Sequence, residues 1–244
     1  MLTFDDLPDL LTATSLALPF ENLAVIEHRG LPITRDNLVS KLLVRNEGGL
    51  CYELNPLLYF CLLENGFDVT MVRGIVYDAE HRTFAGTGHT HVTLLLRHEG
   101  ETYLVDTGFG LFLPLRPVPL NGDVVSSSNG EFRIRPAIGD NAAHGDLVFE
   151  LKQRHRDHDW RVGYVFHSCK AITTVQCEEI RQIIAEHPAS NFNKRPLVAK
   201  LTEHGSVTLT NMSLIITEDG KATKEAVSLE RFRNLLASHF NFHD

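Results

Sequence analysis

The chain has 244 residues, 43% of them hydrophobic, which is enough for one large core or two to three small ones, and its composition does not point to disorder. A formal net charge of −8 with no block of Lys or Arg argues against nucleic acid as a partner, and four cysteines without a Cys-x-x-Cys pair exclude a disulfide framework and fit a reducing compartment. The N-terminus lacks a basic and an apolar leader region and no apolar run reaches membrane-spanning length, so the expectation is a cytoplasmic protein with no membrane partner.

Taken in order, Leu7, Leu10 and Leu11 open a helical pattern that continues through Leu16 and Leu18 and should stop at Pro19. An irregular connection, Pro19-Phe20-Glu21-Asn22-Leu23, leads to a second helix capped by Thr34 or Asp36. Leu38, Leu42 and Leu43 mark one face of it, and Lys41 and Arg45 lie toward its C-terminal end. Gly48-Gly49 then precedes Cys51, from which Leu54, Leu57, Leu58, Cys61 and Leu62 recur at helical spacing until Asn65-Gly66. Cys51 therefore starts a helix, where unpaired backbone N–H groups and the positive end of the dipole favour a thiolate. Residues 1–65 read as a helical bundle carrying that thiol.

After Gly66 the period changes to that of strands. Val69 to Tyr77 is a strand or strand pair, Asp78 to Gly88 a loop, and His91–Leu96 and Thr102–Asp106 a hairpin turning at Glu99-Gly100. Alternation puts His91, Thr93 and Leu95 on one face and Val92, Leu94 and Leu96 on the other. Gly108-Phe109-Gly110 breaks the strand, three prolines mark an extended crossing, and Asn121 to Gly130 is a flexible loop. Strands at Phe132–Arg135, Leu147–Lys152 and Arg161–Phe166 complete a small antiparallel barrel or curled sheet over residues 66–175. Residues 176–244 mix a helix, Cys177 to His187 with Ile180, Ile183 and Ile184 inward, with strands at Leu197–Thr202, Ser206–Leu209 and Met212–Thr217. A last helix follows from Ser228.

A nucleophilic thiol needs a base and a group that orients the base. His91 begins one strand of the hairpin and Asp106 ends the other, so an antiparallel pair brings them side by side. Cys51 completes the set if its helix packs at that end of the sheet.

The segments Pro19-Phe20-Glu21-Asn22-Leu23, Gly48-Gly49-Leu50-Cys51-Tyr52-Glu53-Leu54-Asn55, Thr87-Gly88-His89-Thr90-His91 and Val105-Asp106-Thr107-Gly108-Phe109-Gly110 together resemble the arylamine N-acetyltransferase family. The similarity extends more loosely through Pro188-Ala189-Ser190-Asn191-Phe192 to Thr202 and the terminal helix, so it covers nearly the whole chain. It implies an α+β fold of a helical bundle, an antiparallel β-barrel and an α/β lid, with a cysteine-protease-like Cys-His-Asp triad. It further implies that Cys51 takes an acetyl group from acetyl-CoA as a thioester, with His91 as base and Asp106 orienting it. An arylamine, hydrazine or N-hydroxyarylamine then takes the acetyl group in a second half-reaction. By the same resemblance Phe109 lines the acceptor pocket, and Thr87, Gly88 and Thr202 contact coenzyme A. No metal is expected.

Two departures from the family pattern stand out. The family usually has arginine where this chain has Glu47, so an acid sits near the thiol, and Glu47 is expected to face Glu21 unpaired unless Arg45 compensates. Relatives normally carry further helical residues ahead of Met1, so part of the first bundle is expected to be missing or rebuilt. The rival readings are a papain- or transglutaminase-like thiol hydrolase, an amide synthase on the same scaffold, and a relative that binds coenzyme A without turnover. His89 and His91 form a His-x-His pair of metal-site spacing but have no third clustered ligand. Cys61, Cys169 and Cys177 read as structural, and His155 and His158 as part of a solvated loop. The sequence leaves the oligomeric state open.

Overall fold

The computed structural model describes residues 2–240 and 242. A single 3₁₀ turn leads into α1 (Leu7–Ala17), followed by β1 (Phe20–Glu21), α2 (Leu23–Ile26) and α3 (Arg35–Leu38). Thr34 caps α3, its Oγ1 accepting from the Asn37 N–H at 3.3 Å. The helix then widens into a π-helical stretch over Val39–Val44, closed by an i to i−5 bond from the Arg45 N–H to the Ser40 carbonyl at 3.0 Å. That extra residue per turn corrects the single-face expectation. Leu38 and Leu42 are buried, but Leu43 is 54% exposed and Lys41 turns inward.

Next come α4 (Cys51–Glu64) and the barrel strands: β2 (Asp68–Asp78), β3 (Thr83–Phe84), β4 (His91–His98), β5 (Glu101–Val105), β6 (Val118–Pro119), β7 (Val125–Ser127), β8 (Gly130–Pro136), β9 (Leu147–Gln153) and β10 (Arg161–Ile172). They pair antiparallel in the order β6-β5-β4-β2-β10-β9-β8-β7, with β3 added on β2. Contact between β6 and β8 curls the sheet into a near-closed barrel. Two segments expected to be loops therefore contain short strands, β3 on β2 and β7 on β8. The β4–β5 hairpin turns as expected at Glu99-Gly100, both with positive φ (50° and 84°), the primed geometry that matches strand twist.

The two faces of β4 enter different cores. Val92, Leu94 and Leu96 pack with α1 and α4 through Leu7, Leu11, Leu54, Leu58 and Leu62. Leu95 points into the barrel with Leu104, Phe132, Phe149 and Tyr164. β4 is thus buried on both sides, which fixes the register of the strand that carries His91.

The remaining elements are α5 (Thr174–Glu186), β11 (Leu197–Thr202), β12 (Gly205–Thr210), β13 (Ser213–Glu218), β14 (Lys221–Ala226) and α6 (Leu229–Phe240). Cys177, Ile180 and Ile184 of α5 join the core shared by α1 and α4. A second sheet runs β1-β11-β12-β13-β14, and α6 closes one face of it with Phe232, Leu235 and Phe240 against Val198, Leu209 and Leu214. β1 thereby ties the helical region to this sheet, with Phe20 opposite Ala199 and Glu21 opposite Val198. β14 escapes sequence reading because all six of its residues are exposed and show no apolar alternation. Its two lysines suit an edge that must not pair further. Among the described residues no helix is long and apolar enough to cross a membrane.

Candidate active site

Cys51 is the first residue of α4, placed there by the Gly48-Gly49 stretch. The Gly49 N–H donates to the Pro19 carbonyl and the Glu21 N–H to the Gly49 carbonyl, both at 3.1 Å. A Cβ on Gly48 would stand 2.1 Å from the Pro19 carbonyl oxygen, so only glycine permits this approach. The helix end is held by Glu53, whose Oε2 accepts from the Leu50 N–H at 3.1 Å. The half-buried Cys51 thiol faces the Thr90 carbonyl, Sγ to O 3.5 Å.

His91 and Asp106 are both buried, and His91 Nε2 meets Asp106 Oδ2 at 2.7 Å. This leaves Nδ1 as the ring nitrogen for other chemistry. The hairpin register explains the contact: Leu94 is opposite Val105, so Asp106 continues one residue past the paired strand toward the His91 end. Burial alone would lower the proton affinity of His91. The charge and hydrogen bond of Asp106, joined by the neighbouring Cys51 thiol, outweigh burial and push His91 up to about 10. Burial likewise pushes the Asp106 carboxyl up, but His91, Asn55 and Gly108 overcome it and hold Asp106 below its ordinary value.

Asp106 accepts four hydrogen bonds. Oδ2 takes His91 Nε2 and the Tyr164 hydroxyl at 2.8 Å, while Oδ1 takes Asn55 Nδ2 at 2.9 Å and the Gly108 N–H at 2.7 Å. Asn55 lies one helical turn beyond Cys51. Its Nδ2 also donates to the Val92 carbonyl at 2.7 Å, and its Oδ1 accepts from the Thr107 N–H at 2.9 Å. One amide therefore links the helix of Cys51 to the strands of His91 and Asp106. Gly108 allows that contact, since a Cβ there would stand 2.6 Å from the Cys51 Cα.

Phe109 packs its ring 5.1 Å from His91 and 5.0 Å from Tyr164. Gly163 on β10 makes room for it, because a Cβ at that position would meet the Phe109 ring at 3.0 Å. Thr87 and Gly88 lie in the turn entering β4, with Thr87 Oγ1 3.0 Å from Thr90 Oγ1 and Gly88 at φ 74° with open space beside it. The structure thus brings Cys51, His91, Asp106 and Phe109 together, with Thr87 and Gly88 on the adjoining turn. Thr202 stands apart: at the end of β11 it lines a cavity of about 440 Å³ with Ser15, Asn129, His155 and Gly205, and none of the four clustered residues lines that cavity.

Asn55 and Tyr164 are the site residues that the residue-by-residue reading passes over. A signal for Asn55 exists, an amide four residues after the thiol within an apolar run; Tyr164 looks like any aromatic in a strand. His89 does not join His91. Its Nε2 meets the His144 carbonyl at 2.7 Å, and among the described residues no group of three or more His, Cys, Asp or Glu side chains could hold a metal ion. Cys177 is buried, with its thiol pushed up to about 12 chiefly by burial, and Cys169 is exposed.

Of the two outcomes expected for Glu47, the structure takes the one in which Arg45 compensates, and Arg29 joins it. Glu47 does not face Glu21: Arg29 reaches it at 2.8 Å and Arg45 at 2.6 Å. Glu21 and Glu53 instead share the ammonium of Lys41, at 3.2 Å and 2.7 Å.

A family model described as N-acetyltransferase matches residues 3–243, which defines the class. The Bacillus subtilis protein named uncharacterized acetyltransferase YvcN is 36% identical over 98% of this chain and 91% of its own length. The probable arylamine N-acetyltransferase 3 of Dictyostelium discoideum is 31% identical over 98% of this chain and 87% of its own. Among solved structures, the arylamine N-acetyltransferase NAT3 of Bacillus cereus, described as having a Cys-His-Glu catalytic triad, superposes with TM-score 0.93 at 40% identity. It covers 100% of this chain and 93% of that one. The Mycobacterium marinum enzyme in complex with CoA gives 0.85 at 28% identity, covering 98% and 87%. The chain belongs to the arylamine N-acetyltransferase family and is an acyltransferase.

Proposed function

We propose that this enzyme transfers an acetyl group from acetyl-CoA to an arylamine, hydrazine or N-hydroxyarylamine by a ping-pong route through a thioester on Cys51. The observation that carries the proposal is the buried His91–Asp106 pair beside a thiol at a helix N-terminus. With His91 holding its proton to about 10, an imidazolium stands ready at neutral pH to pair with a thiolate. The thiolate attacks the acetyl carbonyl, the C–S bond to coenzyme A breaks, and the departing sulfur takes the proton of His91. In the second half-reaction the acceptor nitrogen or oxygen attacks the thioester, His91 takes its proton, and Cys51 leaves as thiolate. Asp106 keeps the imidazole oriented in both steps and stabilises the imidazolium whenever His91 holds the proton.

Phe109 is the wall against which an aromatic acceptor rests, and Thr87, Gly88 and Thr202 contact coenzyme A. The acceptor class is supported by the Salmonella typhimurium relative, 28% identical over 91% of this chain, named arylamine N-acetyltransferase / N-hydroxyarylamine O-acetyltransferase. Residues 1–65 supply the nucleophile, 66–175 the base and its partner, and 176–244 the lid over the thioester. The enzyme works in the cytoplasm, a reading supported by four free cysteines.

Two-substrate kinetics with acetyl-CoA and an aromatic amine or hydrazine test this. Parallel double-reciprocal lines, with an acetyl-enzyme that an added amine discharges, are expected. Intersecting lines without an acetyl-enzyme, or amidase activity on peptide amides in its place, would overturn the proposal in favour of direct transfer or a thiol hydrolase.

A further inference from the structure

The motif residues do not account for Lys41, whose side chain is buried in the helical region. Its Nζ stands 2.7 Å from Glu53 Oε1 and 3.2 Å from Glu21 Oε1, and both carboxylates are buried as well. Each carboxylate uses its other oxygen to hold backbone. Glu53 Oε2 accepts from the Leu50 N–H at the start of α4, and Glu21 Oε2 accepts from the Leu23 N–H at the start of α2. Those two backbone segments meet at Gly49, immediately ahead of the thiol-bearing helix.

Among the described residues Lys41 is the only cation within 4 Å of either carboxylate. The position where the family pattern has arginine holds Glu47, which Arg29 and Arg45 engage on the outer side. The π-helical turn at Val39–Val44 is what aims Lys41 inward while Leu43 and Val44 point to solvent. Without the ammonium, two like charges would face each other where water does not reach, and a buried pair that loses one partner is strongly destabilised. Separation of the two carboxylates would relieve that and would move β1, the glycine pair and the first turn of α4. Little slack exists there, because Cys51 abuts Gly108 and its thiol must meet His91.

We propose that Lys41 is a positioning residue for acyl transfer, the counter-charge that locks the Phe20–Glu21 strand and the glycine pair to the N-terminus of α4 and so sets Cys51 against His91. This rests on Cys51 being the acetylated nucleophile. The measurement is the rate of acetyl-enzyme formation in a single turnover with acetyl-CoA, read by intact mass. It is made on the parent, K41M, E21Q and the double variant K41M/E21Q, each checked for folding by circular dichroism. K41M is expected to lose about 100-fold in acetylation rate, the size of effect that a misplacement of about 1 Å produces, with the affinity for acetyl-CoA changed far less. Adding E21Q to K41M removes the stranded charge and should return about tenfold or more of the loss, a rescue that a purely steric role of the lysine stem cannot give.

A folded K41M acetylated at the parental rate overturns the inference, and so does a double variant no faster than K41M. Should K41M alone fail to fold, rescue of folding and acetylation by E21Q supports the inference, and failure of both to return overturns it. An unacetylated parent instead sinks the reading of Cys51, whatever Lys41 does.

Discussion

Tyr164→Phe removes one hydroxyl from the His91–Asp106 arrangement, with its contacts to Asp106 Oδ2 at 2.8 Å and Thr93 Oγ1 at 3.3 Å, without disturbing the ring packing. The ring stays, stacked 4.8 Å from Phe149 and tilted 4.4 Å from His91; only the hydroxyl that donates to Asp106 Oδ2 at 2.8 Å is lost. Asp106 keeps three donors, His91, Asn55 and Gly108, and Thr93 Oγ1 keeps its bond to the Val105 carbonyl at 3.4 Å. A buried hydrogen bond to a charged group contributes about 1.5–3 kcal/mol, so Y164F should lower unfolding stability by about that amount. If about half of the bond serves to keep Asp106 aligned on His91, acetyl-enzyme formation slows by about three- to tenfold. Reversible urea unfolding followed by the fluorescence of the single tryptophan, Trp160, gives the first number, and single-turnover acetylation gives the second. A loss below about 0.5 kcal/mol with an unchanged acetylation rate would show that the hydroxyl does not support the carboxylate, and the reasoning would fail.

The pH dependence of stability carries a defined sign. An unfolded histidine releases its proton near 6.5 while His91 holds it to about 10, so the folded state binds the extra proton between those values. The His91 contribution is complete below about pH 6.5, shrinks as pH rises and is gone above about 10; urea titrations of the parent should show this fall and H91Q should flatten it. Asp106, held below its ordinary 3.8, gives the opposite limb, with stability lost as pH drops through its lowered value. Gly48→Ala would press a methyl group against the Pro19 carbonyl, and overpacking of this kind costs about 1–3 kcal/mol or more; a melting temperature equal to the parent's would contradict the close approach. Glu47→Gln removes two partly exposed ion pairs worth about 0–1 kcal/mol, so transfer should stay within about fivefold of the parent, measured at saturating acetyl-CoA. A larger loss would mean that Glu47 acts on the thiol after all.

What is legible in the sequence follows from how local its cause is. The α4 start, the β4–β5 hairpin and the two faces of β4 rest on short-range rules, glycine placement and period two, and the structure reproduces them. The α+β class follows from the same elements. Contacts of high sequence separation are harder. Tyr164 reaches Asp106 only because β10 lies two strands from β4 in the sheet, and no spacing rule encodes that pairing. The inward turn of Lys41 depends on a π-helical widening that an α-helical wheel does not contain, which also explains the exposure of Leu43. At Glu47 the compensation by Arg45 is legible from two residues away, whereas that by Arg29, from a different connection, is not. β14 has no apolar pattern to read, since it is an edge strand exposed along its length.

The measurement that bears most directly on the whole account is peptide mapping of the protein after brief mixing with acetyl-CoA in the absence of acceptor. The account predicts one added acetyl group, located on Cys51, that an aromatic amine or hydrazine removes and that C51A never acquires. Acetylation at another residue, or none while the enzyme still acetylates an amine, would contradict it.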